Sequence, residues 1–196
     1  MRGNDMSEPT ANAEVGTSDG RYSPLAQAFH WVSAALMFAV VPIAWYMTTL
    51  ERTDPSREGW YSLHKSIGLT ILALSILRVL WRQLDTPPTL TGILRPVQAA
   101  AAHVAHVLLY VMLFAMPVSG YLMSAAGGHP VVIFDLITVP PLVPVDHDLS
   151  KLGSRLHSIG QWAVYGLVGL HVLATGYHTF IRHDGVLGRM VPWRVG

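Results

Sequence analysis

Between Ser154 and Arg182 the chain reads SRLHSIGQWAVYGLVGLHVLATGYHTFIR, a long apolar run broken by His157, His171 and His178. Its core exceeds the roughly 20 residues an α-helix needs to cross about 30 Å of hydrocarbon. A helix in lipid has little use for imidazole, because an unpaired polar group there is costly. The spacing is informative. From 157 to 171 is roughly four turns, so the two rings share a face within about 40° and lie about 21 Å apart along the axis. One imidazole then sits toward each side of a bilayer, and both point into a bundle. Interhelical hydrogen bonding is the plainer use of a polar membrane residue, so the other histidines must discriminate.

A hydrophobic share of 51%, a charged share of 13% and a mean hydropathy of +0.38 are too apolar for an ordinary soluble domain. A formal charge of +1 argues against nucleic-acid binding. The absence of cysteine excludes disulfides, thiolate zinc sites, cysteine-held iron–sulfur clusters and covalent c-type haem attachment. One all-α integral membrane domain follows.

Residues 1–20 are small, polar and acidic, without the basic end and apolar middle of a signal peptide, and are expected to form a disordered tail. The domain then runs from 21 to 196, with four helices expected at about 25–50, 60–82, 96–126 and 154–182. Ser23-Pro24 suits the start of the first, and Pro42 should kink it. Trp60 and Tyr61 are interface anchors at the start of the second, and Asp85-Thr86-Pro87-Pro88 ends it. In the connection before the fourth helix, the apolar run Val131–Ile137 is too short to span and suits an interfacial or re-entrant piece.

Four crossings put both termini on one side with Arg2, Arg21, Arg78, Arg82, Arg95, Arg182, Arg189 and Arg194. Arg52, Arg57, Lys65, Lys151 and Arg155 fall on the other. The richer side faces the cytoplasm. His30 on helix 1 then lies near the inner face and His64 on helix 2 near the outer face, roughly 20 Å apart in depth. That matches the interval between His157 and His171. An outer pair, His64 with His157, and an inner pair, His30 with His171, result.

Two facing imidazoles at one level are what an iron porphyrin with two axial histidines requires. Gly68, Gly160, Gly166 and Gly169 offer room for a macrocycle, although glycine also serves plain helix packing. Arg78 shares a face with His64 near the inner level and suits a haem propionate, or simply sets topology. Zinc is the inorganic competitor, but it wants three or four converging ligands, and carboxylates are nearly absent from the spans.

His103 and His106 share a face on helix 3. One could replace His30 as a ligand; otherwise they hydrogen-bond to a propionate, or to a quinone and its protons. His178 lies at or beyond the hydrocarbon edge, outside the ligand set, and His129, His147 and His183 read as solvated. With both axial positions filled, such haems pass single electrons. Lys65, Lys151 and Arg155 make a cationic outer rim that would steer a small anion, unless these side chains only snorkel to the interface.

Ser23…His30-Trp31, His64-Lys65-Ser66-Ile67-Gly68, Arg78, His103-Val104-Ala105-His106 with Pro117 and Gly120, and Leu156-His157…Gly169-Leu170-His171 resemble the prokaryotic cytochrome b561 family over about Tyr22 to Arg194. The resemblance implies a four-helix membrane bundle in the bacterial inner membrane, related to the cytochrome b subunits of nickel hydrogenases. It implies two haem b groups between helices 1, 2 and 4, with His30, His64, His157 and His171 as axial ligands, the residues that the depth argument also selects. It further implies a quinone-linked oxidoreductase that takes electrons from superoxide or a redox protein and passes them to ubiquinone. The alternatives are a membrane anchor and electron conduit of a larger dehydrogenase or hydrogenase, and a haem-free transporter or scaffold.

Overall fold

The computed structural model describes residues 20–88 and 94–192. The expected tail before Gly20 lies outside them, as do Arg2 and Arg194 of the charge comparison. In chain order come α1 (Pro24–Thr49), α2 (Arg57–Leu84), α3 (Pro96–Ala126), the short strands β1 (Val131–Ile133) and β2 (Ile137–Val139), and α4 (His147–Tyr177).

Each helix begins for a local reason. The Ser23 hydroxyl accepts a hydrogen bond from the Ala26 amide at 3.3 Å. Pro24 occupies the first turn, where its missing N–H has no helical partner to lose. α1 continues through Pro42 as one helix. α4 starts at His147, ahead of the expected Ser154, because Asp146 caps it by accepting from the Leu149 amide at 2.9 Å. The Asp146 amide in turn donates to Ala126 O at 2.9 Å, which pins the start of α4 to the end of α3.

Val131–Ile137, expected as an interfacial or re-entrant piece, folds back on itself. It belongs to an antiparallel hairpin in register Val131↔Val139, Val132↔Thr138 and Ile133↔Ile137. Phe134 and Asp135 take φ of 47° and 57°, and the Leu136 amide closes the turn on Ile133 O at 2.9 Å. Both central residues at positive φ make the mirror-image turn whose twist suits a hairpin, although asparagine and glycine are its usual occupants. The hairpin is fastened to α2. Ser66, fully buried, accepts from the Phe134 amide at 2.8 Å; its hydroxyl donates to Ser62 O at 2.8 Å and lies 3.3 Å from Val132 O.

α1 packs on α2, α2 on α3, and α3 on α4, whereas α4 stands off from α1 and α2. Glycine sets the α3–α4 approach. A β-carbon on Gly153 would lie 2.7 Å from Met123 N and 2.9 Å from Ser119 O, and one on Gly160 would lie 2.5 Å from Met116 Sδ. Gly160 lets α4 approach Met116, a flexible side chain that also walls the cavity at His157. A small core of Val40, Ile67 and Ile71, flanked by Leu36, Met37, Leu63 and Leu113, joins α1, α2 and α3.

α1, α2 and α3 are long and apolar enough to cross a membrane. α4 matches them in length, but His157, Gln161 and His171 interrupt its apolar run. Large apolar side chains such as Phe38, Leu80 and Leu173 face outward, as lipid contact requires.

At the end that carries the termini, residues 187–191 lie across the start of α1. The Tyr22 amide donates to Arg189 O at 3.0 Å, Arg189 Nε to Gly20 O at 2.5 Å, and Trp31 Nε1 to Met190 O at 2.8 Å. Arg21 donates to Val191 O, 170 positions away.

Candidate functional site

In the gap between α4 and the α1–α2 pair, histidines meet at two levels. At the hairpin end, His64 and His157 have ring centroids 6.1 Å apart with planes at 81°. Toward the termini, His30 and His171 stand 6.2 Å apart at 69°.

His157 is held by α3. Its Nδ1 is 3.0 Å from Met116 O and 3.2 Å from the Ser119 hydroxyl. A carbonyl can only accept, so Nδ1 carries the proton and Nε2 keeps its lone pair. Gly120 makes the approach available, since a β-carbon there would sit 3.2 Å from His157 Cε1 and 3.3 Å from Nδ1. His64 Nδ1 is buried without a hydrogen-bond partner. The cavity between the two rings is narrow, about 80 Å³, and apolar apart from the rings, Gln161 and Tyr165. Met37, Met112 and Met116 in its wall are flexible side chains that can yield to a larger occupant. Tyr165 also joins α4 to α1, accepting from Trp45 Nε1 at 2.8 Å.

The second level is more crowded. His106 of α3 reaches His171 with centroids 5.5 Å apart, and His103, on the same face of α3, lines the same groove as His106. Arg78 directs its guanidinium at His30 Nδ1, 3.3 Å away, and over the Tyr110 ring, 5.2 Å from its centre. No carboxylate neutralises it: among the described residues the ion pairs are His178–Asp184 and Arg182–Asp184. A half-buried cation without an anion is costly in a membrane, so this position suits an acidic ligand.

These residues fit an iron porphyrin. Two imidazoles bound to one metal ion through nitrogens at about 2 Å each place their ring centres about 6 Å apart, close to both observed separations. An unpartnered ring nitrogen, a ring presenting its Nε2 lone pair and an uncompensated guanidinium are what a metal with acidic side arms would satisfy. Nothing lies within 4 Å of a β-carbon built on Gly68, which lines the cavity between His64 and His157, whereas Gly166 and Gly169 lie on the exposed side of α4, away from the face that carries His157 and His171.

Other candidates fall elsewhere. Lys65 donates to Pro130 O at 3.0 Å and is half-buried, tied to the base of the hairpin. Lys151 and Arg155 are exposed along one side of α4. His178 pairs with Asp184 at 2.5 Å where α4 ends in a π-helical turn, clear of both imidazole pairs. His129, His147 and His183 are exposed. Sequence reading had no role for Met116 or Ser119 at His157. Gly120 was the available signal, a glycine inside a membrane helix where a neighbouring ring comes close.

The prokaryotic cytochrome b561 family matches residues 21–193. Cytochrome b561 homolog 2 of Escherichia coli (strain K12) is 35% identical over 175 residues, covering 87% of this chain and 91% of that protein. The probable superoxide oxidase CybB of Yersinia pestis is 30% identical over 178 residues, 90% of this chain and 98% of its own. Cytochrome b561 homolog 1 of Escherichia coli (strain K12) is 25% identical over 178 residues, 89% and 98% of the two chains. The chain therefore belongs to the prokaryotic cytochrome b561 family, helical membrane proteins of bacteria that bind b-type haem and transfer electrons.

Proposed function

We propose that the protein holds two haem b groups and carries single electrons across the bacterial inner membrane to the quinone pool. His64 and His157 are the axial ligands of the outer group, and His30 and His171 those of the inner one. Both termini are cytoplasmic, following the excess of arginine at that end. The carrying observation is the pair of facing imidazoles at each of two levels, spaced about 21 Å along α4.

Haem held between these imidazole pairs would supply a reversible one-electron couple. The chain supplies everything else. Met116 O fixes the His157 tautomer, as outer partners of metal-binding histidines do. Arg78, now beside His30 Nδ1, would hold an acidic side arm of the inner group, and His30 could then carry its proton on Nδ1 and offer Nε2. Apolar walls exclude water and set the potential.

Superoxide is the proposed outer donor and ubiquinone the acceptor. The superoxide oxidase name of the relative from Yersinia pestis supports the donor, as do the exposed cations Lys151 and Arg155 at the hairpin end of α4. A pyridine haemochrome assay on purified protein should give close to two haems per chain. Replacing His64 or His157 should remove one centre, and replacing His30 or His171 the other, resolved by redox titration of each variant. A stoichiometry near zero rejects the reading. Loss of the same centre from His64 and His171 variants rejects the pairing. Purified protein that carries two haems but does not reduce quinone with superoxide is instead the electron conduit of a larger complex.

A further inference from the structure

We propose that a groove on the lipid side of α2 and α3 is the docking site of the quinone, ring toward the cytoplasmic end and isoprenoid chain toward the membrane centre. The proposal rests on the quinone-linked reading above and locates its substrate. The groove holds about 1020 Å³ and follows α3 from Ala99 to Val118, a length of about 28 Å at 1.5 Å per residue. Its two halves differ. Tyr22, Arg82, His103, His106 and Tyr110 gather at one end, and Val111, Phe114 and Val118 line the other. Such a groove matches an amphiphile with a compact polar head and a long apolar chain.

The polar end selects the head. A quinone oxygen accepts a hydrogen bond when oxidised and donates one when reduced, so its partners must manage both roles. Neutral imidazole and phenol can do so, whereas guanidinium and ammonium only donate. Among the described residues, four of the five polar ones are imidazoles or phenols and no carboxylate lines the groove. A phospholipid phosphate would instead call for converging cations, and Arg82 is the permanent cation of the lining.

His106 connects the groove to the inner pair. It is exposed to the groove, yet its ring centre is 5.5 Å from that of His171. Reduction of the ring consumes two electrons, arriving one at a time at the inner pair from two superoxide anions, each released as dioxygen. Two protons come from the aqueous phase at the cytoplasmic mouth, and both carbonyl oxygens become hydroxyls. His106 and His103 are positioning residues for the head in this scheme.

The test is equilibrium binding of a short-chain ubiquinone to purified holoprotein by titration calorimetry, with haem content measured on the same samples. Ala115→Trp fills the apolar half of the groove, and His103→Leu removes a partner of the head. Each should weaken binding by tenfold or more while the haem stoichiometry stays at the wild-type value. His103→Gln, which still donates and accepts, should recover most of the affinity. Wild-type affinity in both Ala115→Trp and His103→Leu overturns the groove and leaves the quinone-linked reading standing. Wild-type protein that neither binds nor reduces ubiquinone overturns that reading, and the groove with it. Loss of ubiquinone binding on adding phosphatidylglycerol vesicles, but not phosphatidylcholine vesicles, overturns the proposal in favour of an anionic lipid.

Discussion

His157 has the most closely specified surroundings of the four paired histidines. Its Nδ1 proton goes to Met116 O, Ser119 stands beside it, and Gly120 leaves no side chain in its path. Gly120→Ala should cost about 1–2 kcal/mol as overpacking, and Gly120→Val should displace the ring, halving haem content while the centre on His30 and His171 survives. Haemochrome assay with redox titration separates these outcomes. The cations at the hairpin end give a second residue-scale prediction. Lys151→Ser with Arg155→Ser should slow stopped-flow haem reduction by superoxide by up to about tenfold and flatten its salt dependence, because exposed charges are screened over about 8 Å at physiological ionic strength. A neutral donor should be indifferent. Lys65→Gln should do less to that rate, since its ammonium is engaged with Pro130 O. The pairing of histidines was legible in the sequence because a helix turns spacing into depth and face by fixed geometry. The choice of His106 over His103 as the neighbour of His171 was not. Both lie on one face of α3 about 4.5 Å apart in depth, and which of them meets His171 is set by the register of α3 against α4.

Among the elements, the hairpin and the start of α4 depart most from what the sequence suggested. Asp146 with Asp148 in the first turn was a readable helix start, but Pro140, Pro141 and Pro144 just before it disguised the boundary. The hairpin was harder to see. Its turn is Phe134-Asp135, neither glycine nor asparagine, and its register depends on Ser66, a residue of a distant helix. Ser66→Ala leaves the Phe134 amide without its acceptor, at a cost of about 1–3 kcal/mol. Faster hydrogen exchange at Phe134 and Leu136, with α2 unchanged, is the expected sign. For α3 and α4, Gly153→Ala sets a β-carbon against backbone atoms that cannot turn aside. The thermal midpoint should fall, by an amount corresponding to about 1–3 kcal/mol. Gly160→Ala meets only the end of Met116 and should be milder.

The whole bundle is two helix pairs with a seam. α4 stands off from α1, and among the described residues the His30–His171 approach and the Trp45–Tyr165 hydrogen bond reach across that seam. A ligand that binds only the folded state stabilises it by about 4 kcal/mol when present at a thousand times its dissociation constant. Protein made under haem limitation should therefore melt well below the haem-replete form, and a disulfide engineered between α1 and α4 should narrow the difference. Differential scanning fluorimetry of the two preparations, with and without the cross-link, measures both effects. The bundle is also closed on itself at the termini, where Tyr22 and Trp31 donate to the Arg189 and Met190 carbonyls, the Arg189 side chain donates to Gly20 O, and Arg21 donates to Val191 O. That closure is an event in time as well as in space. A ribosome adding about 5–20 residues per second delivers Val191 roughly ten to thirty seconds after Arg21, which it meets 170 positions later. For that interval α1 stands in the bilayer with Ser23 and His30 already in reach of Asp85 and Arg78, while the backbone partners of Arg21, Tyr22 and Trp31 are still to be made.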